Sequence, residues 1–492
     1  MWTSRRTSIT TPGITAIDTR ATTDRPPPVS YIRVRAAALL VVALLGWTLF
    51  AFGGAYLWGT IPTAAGAALV LVLGSSAFLA ARDLRALDFS LAAILACGAA
   101  QLVPLPYSVV EFLSPARVSF AASMSLSAPR GWRPLSIDPA ASAHALLVLG
   151  AALAVFWGTR GVFHYGGIRT VARGIAFFGL AASAIGILQD ASRSRLVYWW
   201  WTPVSDGPRG FGPFINRNHF AAWAVMALSL SVGYLAARTY ARDDMDRFRS
   251  FVARLRRHFD LRTIWLLLAI ALMTLAIVLS LSRSGIAAGA TALVAAHVFS
   301  ARRHRRRGWA LGAATAILVL AILWTGPTTL VERWQSAEIG QEGRSVIWSE
   351  TTPIVRDYWV AGTGIGAYSA AMTMYQRSGR ETVHFNQAHN HYLQVLAEGG
   401  VVLLALCAAA AVLFVRGARE RFRADHTGML WLRVGAGAGL LGLAVSSIWE
   451  TAARMPANAL LAAVLAAIVL HEVAHRSGGH HAGQASPPGA SH

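Results

Sequence analysis

The stretch "TIWLLLAIALMTLAIVLSLS" (263–282) contains no charged side chain. About 20 consecutive apolar residues in a helix cross roughly 30 Å of hydrocarbon. A second apolar run, "RSGIAAGATALVAAHVF" (283–299), follows at once, and "ARRHRRRG" (301–308) then adds five arginines. Two apolar runs joined by a tight turn and closed by a basic turn are typical of a pair of transmembrane helices.

Comparable runs recur along the whole chain. Apolar residues make up 55% of the 492 residues and charged residues only 14%, with a mean hydropathy of +0.48. Spans are expected at about 36–58, 61–81, 89–105, 141–158, 172–188, 219–237, 263–282, 284–300, 309–325, 396–415, 434–449 and 457–473. The sequence therefore predicts an all-α polytopic membrane protein with about 12 transmembrane helices.

The net charge of +21 would suggest a nucleic-acid partner in a soluble protein. Here all 44 basic residues are arginines, and they cluster between the apolar runs. With twelve spans, the arginine-rich turns at 238–262, 301–308 and 416–423 fall on one side, which predicts that both termini are cytoplasmic. No nucleic-acid partner is expected. Cys97 and Cys407 lie inside apolar runs, so neither a disulfide nor a cysteine metal site is predicted.

The pattern divides the chain into five parts. They are a disordered cytoplasmic tail at 1–32, a nine-span membrane region at 33–325, a large exoplasmic loop at 326–395, a three-span region at 396–475, and a disordered tail at 476–492. Within the large loop, "RSVIWSETTPIVRDYW" (344–359) has the apolar spacing of an amphipathic helix, and "AGTGIGAY" (361–368) is typical of a glycine-rich turn. The loop is therefore expected to be helical.

Two arginines lie at exoplasmic helix ends, in "GFGPFINRNHFAAW" (210–223) and "LSLSRSGIAAG" (279–289). An arginine at membrane depth is costly and normally has a partner. Guanidinium groups bind phosphate oxygens bidentately, so Arg217 and Arg283 together would hold a diphosphate without a metal. Snorkelling to the interface for Arg217 and a helix-end anchor for Arg283 are the alternatives. Candidate supporting residues are Asn216, Asn218, His219 and Arg344.

The stretch "HFNQAHNHYLQ" (384–394) holds three histidines. On a helix, residues two apart point about 200° apart, so His389 and His391 do not make one metal face with His384, and neither a metal site nor a cofactor is predicted. Asn390 is the expected N-cap of span ten, which leaves His389 at the membrane surface as a candidate general base. Glu398 either orients this site or pairs with an arginine. Solvated loop histidines are the alternative.

Taken together, "GPFINRNHFA", "SLSRSG", "RSVIW", "GTGIGAY" and "QAHNHYLQVLAEGG" in this order resemble the O-antigen ligase and O-antigen polymerase superfamily, over residues 140–450. This resemblance implies a periplasmic loop and a place in the bacterial inner membrane. It also implies transfer of a glycan from undecaprenyl diphosphate to lipid A core, to a second lipid-linked glycan, or to a protein. By motif position it assigns Arg217 and Arg283 to the diphosphate and His389 to catalysis, without a metal. A single displacement would invert the anomeric configuration.

Three alternatives remain open at this stage. A repeat-unit polymerase of the same superfamily has the same motifs as a ligase. A transporter or flippase for an anionic lipid or solute would also need about twelve spans, although transporters tend to place charges near the bilayer midplane. The stretch "HEVAH" (471–475) formally matches a zinc protease motif, but it lies at the end of the last span with no third ligand in sight.

Overall fold

The structure, a computed structural model, describes residues 31–80, 84–124, 131–194, 196–203, 210–243, 260–303, 338–377 and 384–472. Within these ranges it contains helices and no strand. The helices are α1 (Tyr31–Phe50), α2 (Leu57–Ala80), α3 (Arg85–Ala100), α4 (Tyr107–Leu113), α5 (Pro115–Ser123), α6 (Pro139–Tyr165), α7 (Ile168–Ala191), α8 (Arg217–Asp243), α9 (Leu261–Leu279), α10 (Arg283–Arg303), α11 (Glu338–Asp357), α12 (Tyr368–Tyr375), α13 (His391–Ala424), α14 (Met429–Ser446) and α15 (Pro456–Leu470). The predicted all-α class is confirmed.

Eight of the described helices are long and apolar enough to cross a membrane: α1, α2, α6, α7, α8, α9, α13 and α14. The protein is therefore a multi-pass membrane protein. Helices α3, α10 and α15 coincide with predicted spans, although α3 has only 16 residues and α15 only 15. The predicted span 309–325, both terminal stretches 1–30 and 476–492, and the first part of the large loop lie outside the described residues.

The first predicted span, 36–58, extends too far. Helix α1 ends at Phe50, and a short 3₁₀ turn at Phe52–Gly54 separates it from α2. The backbone of Gly53 and Gly54 has positive φ there, and a side chain on Gly54 would meet Pro456 at 2.7 Å. A hydropathy pattern does not register this reversal, because the residues of the turn are themselves apolar.

Helix α8 runs through the centre of the bundle, and most of its described residues are buried. Helix α14 packs along it at Gly233 and Gly435, where a side chain on Gly435 would lie 3.0 Å from the Cα of Gly233. Helix α2 meets α6 in the same way at Gly74 and Gly158. Small residues allow such close backbone approach, which is the usual basis of helix association in a bilayer.

A second, smaller apolar cluster lies outside the spans. It is formed by Ile347, Ile354, Tyr358, Tyr368 and Met372, from α11, α12 and their connection. The predicted amphipathic helix at 344–359 is confirmed as the greater part of α11. The Tyr358 hydroxyl donates to the carbonyl of Ala116 in α5 at 3.2 Å, so the two helical segments outside the spans are joined.

Helix α13 is broken at Gly400, whose φ of 63° and ψ of −169° are not helical. The N–H of Val401 donates to the carbonyl of Trp359 at 2.8 Å instead of continuing the helix. The carbonyl of Ala397, released by this break, accepts the N–H of Thr363 at 3.0 Å. The predicted glycine-rich turn therefore attaches the large loop to α13 through backbone hydrogen bonds.

Replacing Gly400 by alanine should destabilise the protein. The positive φ disfavours any L side chain, and a Cβ would lie 2.1 Å from the carbonyl oxygen of Val360. We expect a lower thermal unfolding midpoint for purified Gly400→Ala. Gly150→Ala is the matched control, since a Cβ at Gly150 meets nothing within 4 Å. Equal midpoints for the two variants would contradict this account of the break.

Candidate active site

The buried carboxylate of Glu450 is the centre of the candidate site. It lies in the segment between α14 and α15 and is 1% exposed. One oxygen, Oε1, accepts a hydrogen bond from Asn218 Nδ2 at 2.8 Å and a very short one from Arg344. The other, Oε2, lies 3.4 Å from His389 Nδ1. Four segments that are far apart in the sequence therefore meet at one carboxylate.

The surroundings of Glu450 determine its protonation state. Burial by itself would raise the pKa of this carboxyl group, since it disfavours the charged form. The hydrogen bond and charge of His389, together with the charges of Arg344 and His219, outweigh that effect and lower the pKa below its ordinary value. Glu450 is therefore ionised at neutral pH.

The backbone on both sides of His389 holds its imidazole in place. His389 has a φ of +47°, in the left-handed region where histidine is enriched among non-glycine residues. On one side, Ala388 accepts from Trp348 Nε1 at 2.9 Å and donates to Gln394 Oε1 at 3.1 Å. On the other, Asn390 Oδ1 accepts the N–H of Leu393 at 3.0 Å, which confirms Asn390 as the N-cap. His389 thus precedes the helix, and its side chain stays 31% exposed.

Asn218 is positioned by the start of α8. The Asn216 side chain accepts the N–H of Asn218 at 2.8 Å, and Asn458 donates to the carbonyl of His219 at 3.1 Å. Arg217 is the first residue of α8 and is half-buried next to Asn218. The motif "NRNH" is therefore placed as a unit against Glu450, with each asparagine in a distinct role.

Arg283 is the first residue of α10, and it lies near the start of α8. The hydroxyl of Ser282 accepts the N–H of Gly285 at 3.1 Å and closes the first turn. A Cβ on Gly285 would lie 2.4 Å from that of Ala221, so the first turns of α10 and α8 are in contact. The guanidinium groups of Arg283 and Arg344 are near enough to interact electrostatically. The structure thus brings Arg217, Arg283 and Arg344 to one end of the bundle.

Glu398 belongs to a second polar cluster. It pairs with Arg454 at 2.6 Å and accepts from Gln394 Nε2 at 2.9 Å and from the N–H of Gly366 at 2.8 Å. Of the two expectations for Glu398, the structure matches the arginine pair. Gln101 strengthens the same region by donating to the carbonyl of Glu398 at 3.0 Å.

A cavity of about 540 Å³ lies beside these clusters. Its polar lining includes His219, Gln387, His391, Glu398 and Arg454. Its apolar lining includes Ile94, Val148, Leu149, Ala152 and Leu403, from α3, α6 and α13. Neither ring nitrogen of the buried His219 hydrogen bonds to a described residue, and the same is true of His391 Nδ1. The lining of the cavity thus combines polar groups that lack a hydrogen-bond partner among the described residues with apolar side chains.

The three histidines of "HFNQAHNHYLQ" contact different neighbours. His384 Nε2 lies 2.9 Å from the hydroxyl of Ser369, His389 contacts Glu450, and His391 lines the cavity. Across the described ranges, no three His, Cys, Asp or Glu side chains are grouped closely enough to hold a metal ion. In "HEVAH", only His471 and Glu472 fall within the described residues.

Sequence reasoning missed Glu450 and Arg454. Both lie in "ETAARM" (450–455), between the last two predicted spans. The twelve-span topology places that turn on the same side as His389, so a glutamate in the turn could have pointed to the site. This signal is weak, because charged residues are common at helix ends. The partners of Glu450 and Arg454, His389 and Glu398, also lie 61 and 56 residues away in sequence.

A comparison of the sequence with curated proteins finds no match. A family model described as O-antigen ligase matches residues 268–408, from α9 through the first half of α13, and so includes Arg283, Arg344 and His389. Proteins of this family are membrane glycosyltransferase-like enzymes with lipid-linked glycan substrates. The match confirms the resemblance of the chain to the O-antigen ligase and polymerase superfamily, whose function is the handling of glycans at a membrane.

Proposed function

We propose that this protein transfers a glycan from undecaprenyl diphosphate to an acceptor at the periplasmic face of the inner membrane, as an O-antigen ligase does. The observation that carries the proposal is the group of contacts at Glu450. It holds a histidine beside Arg344, at the end of the bundle where Arg217 and Arg283 also lie.

His389 is the proposed general base, and Glu450 is its positioning residue. With Nδ1 facing an ionised carboxylate, the favoured tautomer has the proton on Nδ1 and leaves Nε2 with a free lone pair. A partly exposed imidazole in this state accepts a proton from an incoming hydroxyl. The arrangement follows the logic of a base oriented by a third group.

The proposed reaction is a single displacement. The acceptor oxygen forms a bond to the anomeric carbon as the bond from that carbon to the diphosphate oxygen breaks. The bonding electron pair leaves with the diphosphate, and the hydroxyl proton passes to His389 Nε2. Arg217 and Arg283 stabilise the charge that develops on the departing diphosphate, a role that needs neither a general acid nor a cofactor. The configuration at the anomeric carbon is inverted.

The cavity supports a substrate that is partly lipid. Its lining includes apolar side chains of α6 and α13 as well as Arg454 and the unsatisfied nitrogens of His219 and His391. An amphipathic molecule with a hydroxyl-bearing or charged head complements both kinds of lining residue. Lipid-anchored acceptors, such as lipid A core or a second carrier-linked glycan, have this character.

Removal of the proposed base should abolish most of the transfer activity. General acid–base catalysis contributes about 10²- to 10⁴-fold, so His389→Ala should lower the transfer rate by that order. The measurement is the mature polysaccharide formed by a complemented deletion strain, normalised to the amount of protein in the membrane. His384→Ala is the matched control, because His384 is exposed and contacts Ser369 rather than Glu450. Full activity of His389→Ala would exclude the assignment.

Glu450→Gln should change the pH dependence of stability. A carboxyl group whose pKa is lowered on folding stabilises the fold above its ordinary value of 4.5, and this contribution is lost as the pH falls through the folded value. We expect the variant to unfold at a lower temperature than wild type at neutral pH. The difference should shrink as the pH falls below 4.5 and the carboxyl group becomes protonated. A difference that is constant with pH would show that Glu450 is not ionised in the fold.

The product left in a deletion strain distinguishes the ligase reaction from its alternatives. Loss of a ligase leaves full-length polymer on the lipid carrier, because the polysaccharide is assembled but not transferred to the acceptor. Gel analysis of the carrier-linked material from the deletion strain is the measurement, with the complemented strain as control. We expect polymer. Single repeats would instead indicate a polymerase, and carrier-linked material held on the cytoplasmic side would indicate a flippase.

A further inference from the structure

A second cavity lies at the opposite end of the bundle from Glu450. It is lined by the first turns of α1 and α7 and by Arg238 near the end of α8. Arg217, at the candidate active site, is 21 residues before Arg238, which corresponds to roughly 30 Å along a helix. The cavity measures about 1510 Å³ and is called the basic groove below. The proposed transfer reaction does not involve it.

Three arginines on the walls of the basic groove have no ion-pair partner among the described residues. Arg35 on α1 and Arg169 and Arg173 on α7 are exposed and line the groove. No carboxylate of the described chain forms an ion pair with any of these three. Arg238, by contrast, pairs with Asp260 at 2.9 Å. The groove therefore has a positive charge that the described residues leave uncompensated.

Each wall of the groove changes from charged to apolar over one helical turn. On α7, Arg169, Arg173 and Phe177 follow one another at intervals of four residues and share a face. On α1, Arg35 and Leu39 have the same spacing. Leu39 is 49% exposed and Phe177 54%, so the described residues leave a large part of each apolar side chain uncovered. Charge at the membrane surface with apolar side chains one turn deeper is the profile of a phospholipid.

We propose that the basic groove binds an anionic phospholipid. The phosphate is held by the guanidinium groups of Arg35, Arg169 and Arg173, which bind phosphate oxygens as forks. The N-terminus of α7 at Ile168 adds the positive end of its helix dipole to the same wall. One acyl chain lies against Leu39 and Phe177. Basic pockets between transmembrane helices recognise lipid head groups through these same forces.

Charge and apolar surface together favour a lipid over a soluble anion. A free phosphate would satisfy the arginines but leave Leu39 and Phe177 without a ligand. A zwitterionic lipid would satisfy the apolar wall but bring its own cation to a groove with three arginines that no described carboxylate compensates. Only an amphiphile with net negative charge complements both features. Such a lipid also bridges α1 and α7, so its binding should stabilise the contact between them.

The test compares lipid binding by the purified full-length protein and two charge-matched double variants. Arg169→Gln with Arg173→Gln removes two charges from the groove. Arg416→Gln with Arg419→Gln removes two exposed arginines near the end of α13, outside the groove. The probe is phosphatidylglycerol, and the readouts are the lipid retained in native mass spectrometry and the shift in thermal unfolding midpoint.

The expected result is a rise in the midpoint of wild type with phosphatidylglycerol, and no such rise with phosphatidylcholine or inorganic phosphate. The groove variant should bind phosphatidylglycerol at least about tenfold more weakly, a loss of roughly 1.4 kcal/mol, while the control variant binds like wild type. Equal loss in both variants would mean unspecific charge attraction and would overturn the proposal. Equal protection by inorganic phosphate would overturn the lipid assignment.

A single substitution on the other wall provides a second test in case the α7 double variant does not fold. Arg35→Gln lies on α1, and its effect is independent of any change in α7. If the α7 double variant does not fold, Arg35→Gln is compared with Arg416→Gln in the same two readouts. Unchanged phosphatidylglycerol binding by Arg35→Gln would then contradict the proposal.

Discussion

Burial of the Glu450 carboxylate is the constraint on which the candidate site depends. An ionised carboxylate away from water is strongly unfavourable unless it is paired and hydrogen bonded. Its partners come from the start of α8, from α11 and from the residue that precedes the cap of α13. None of these segments satisfies the carboxylate alone, so the charge is compensated only when all of them are assembled. The contacts that compensate the buried charge of Glu450 therefore also determine the position of the His389 imidazole.

Among the residues that the structure describes, the charged groups inside the bundle lie toward its two ends. Glu450 and the pair of Glu398 with Arg454 lie at one end, and Arg433 lies at the other, where it pairs with Asp425 at 2.8 Å and donates to the carbonyl of Val469. Between the ends, α8 and its neighbours meet through small and apolar residues. This distribution suits a protein whose chemistry takes place at a membrane surface, and it differs from the midplane charges that are typical of transporters.

Much of the fold could be predicted from the sequence, because spans, caps and amphipathic helices are local features. The N-cap role of Asn390 can be predicted from the helix-forming residues that follow it, and α11 from the helical spacing of its apolar residues. Glu450 could not be found in this way, since its importance rests on partners 232, 106 and 61 residues away. The turn at Gly53 was missed for a related reason, because apolar residues were used to reverse the chain. Arg217 and Arg283 could be singled out in the sequence for two reasons. A charge at membrane depth is unfavourable without a partner, and both arginines lie in motifs of the superfamily that the chain resembles.

The interruption of α13 at Gly400 has a consequence for protein engineering. The large loop is attached to the helix by main-chain groups, namely the N–H groups of Thr363 and Gly364 and the carbonyls of Ala397 and Glu398. At this junction the hydrogen bonds do not depend on which side chains these residues carry, while Arg344 and His389 of the loop make side-chain contacts with Glu450. Loops exchanged between relatives should dock in register as long as the glycines at both sides of this junction are kept. A grafted loop would also have to keep Arg344 and His389, because both side chains lie in the loop and contact Glu450.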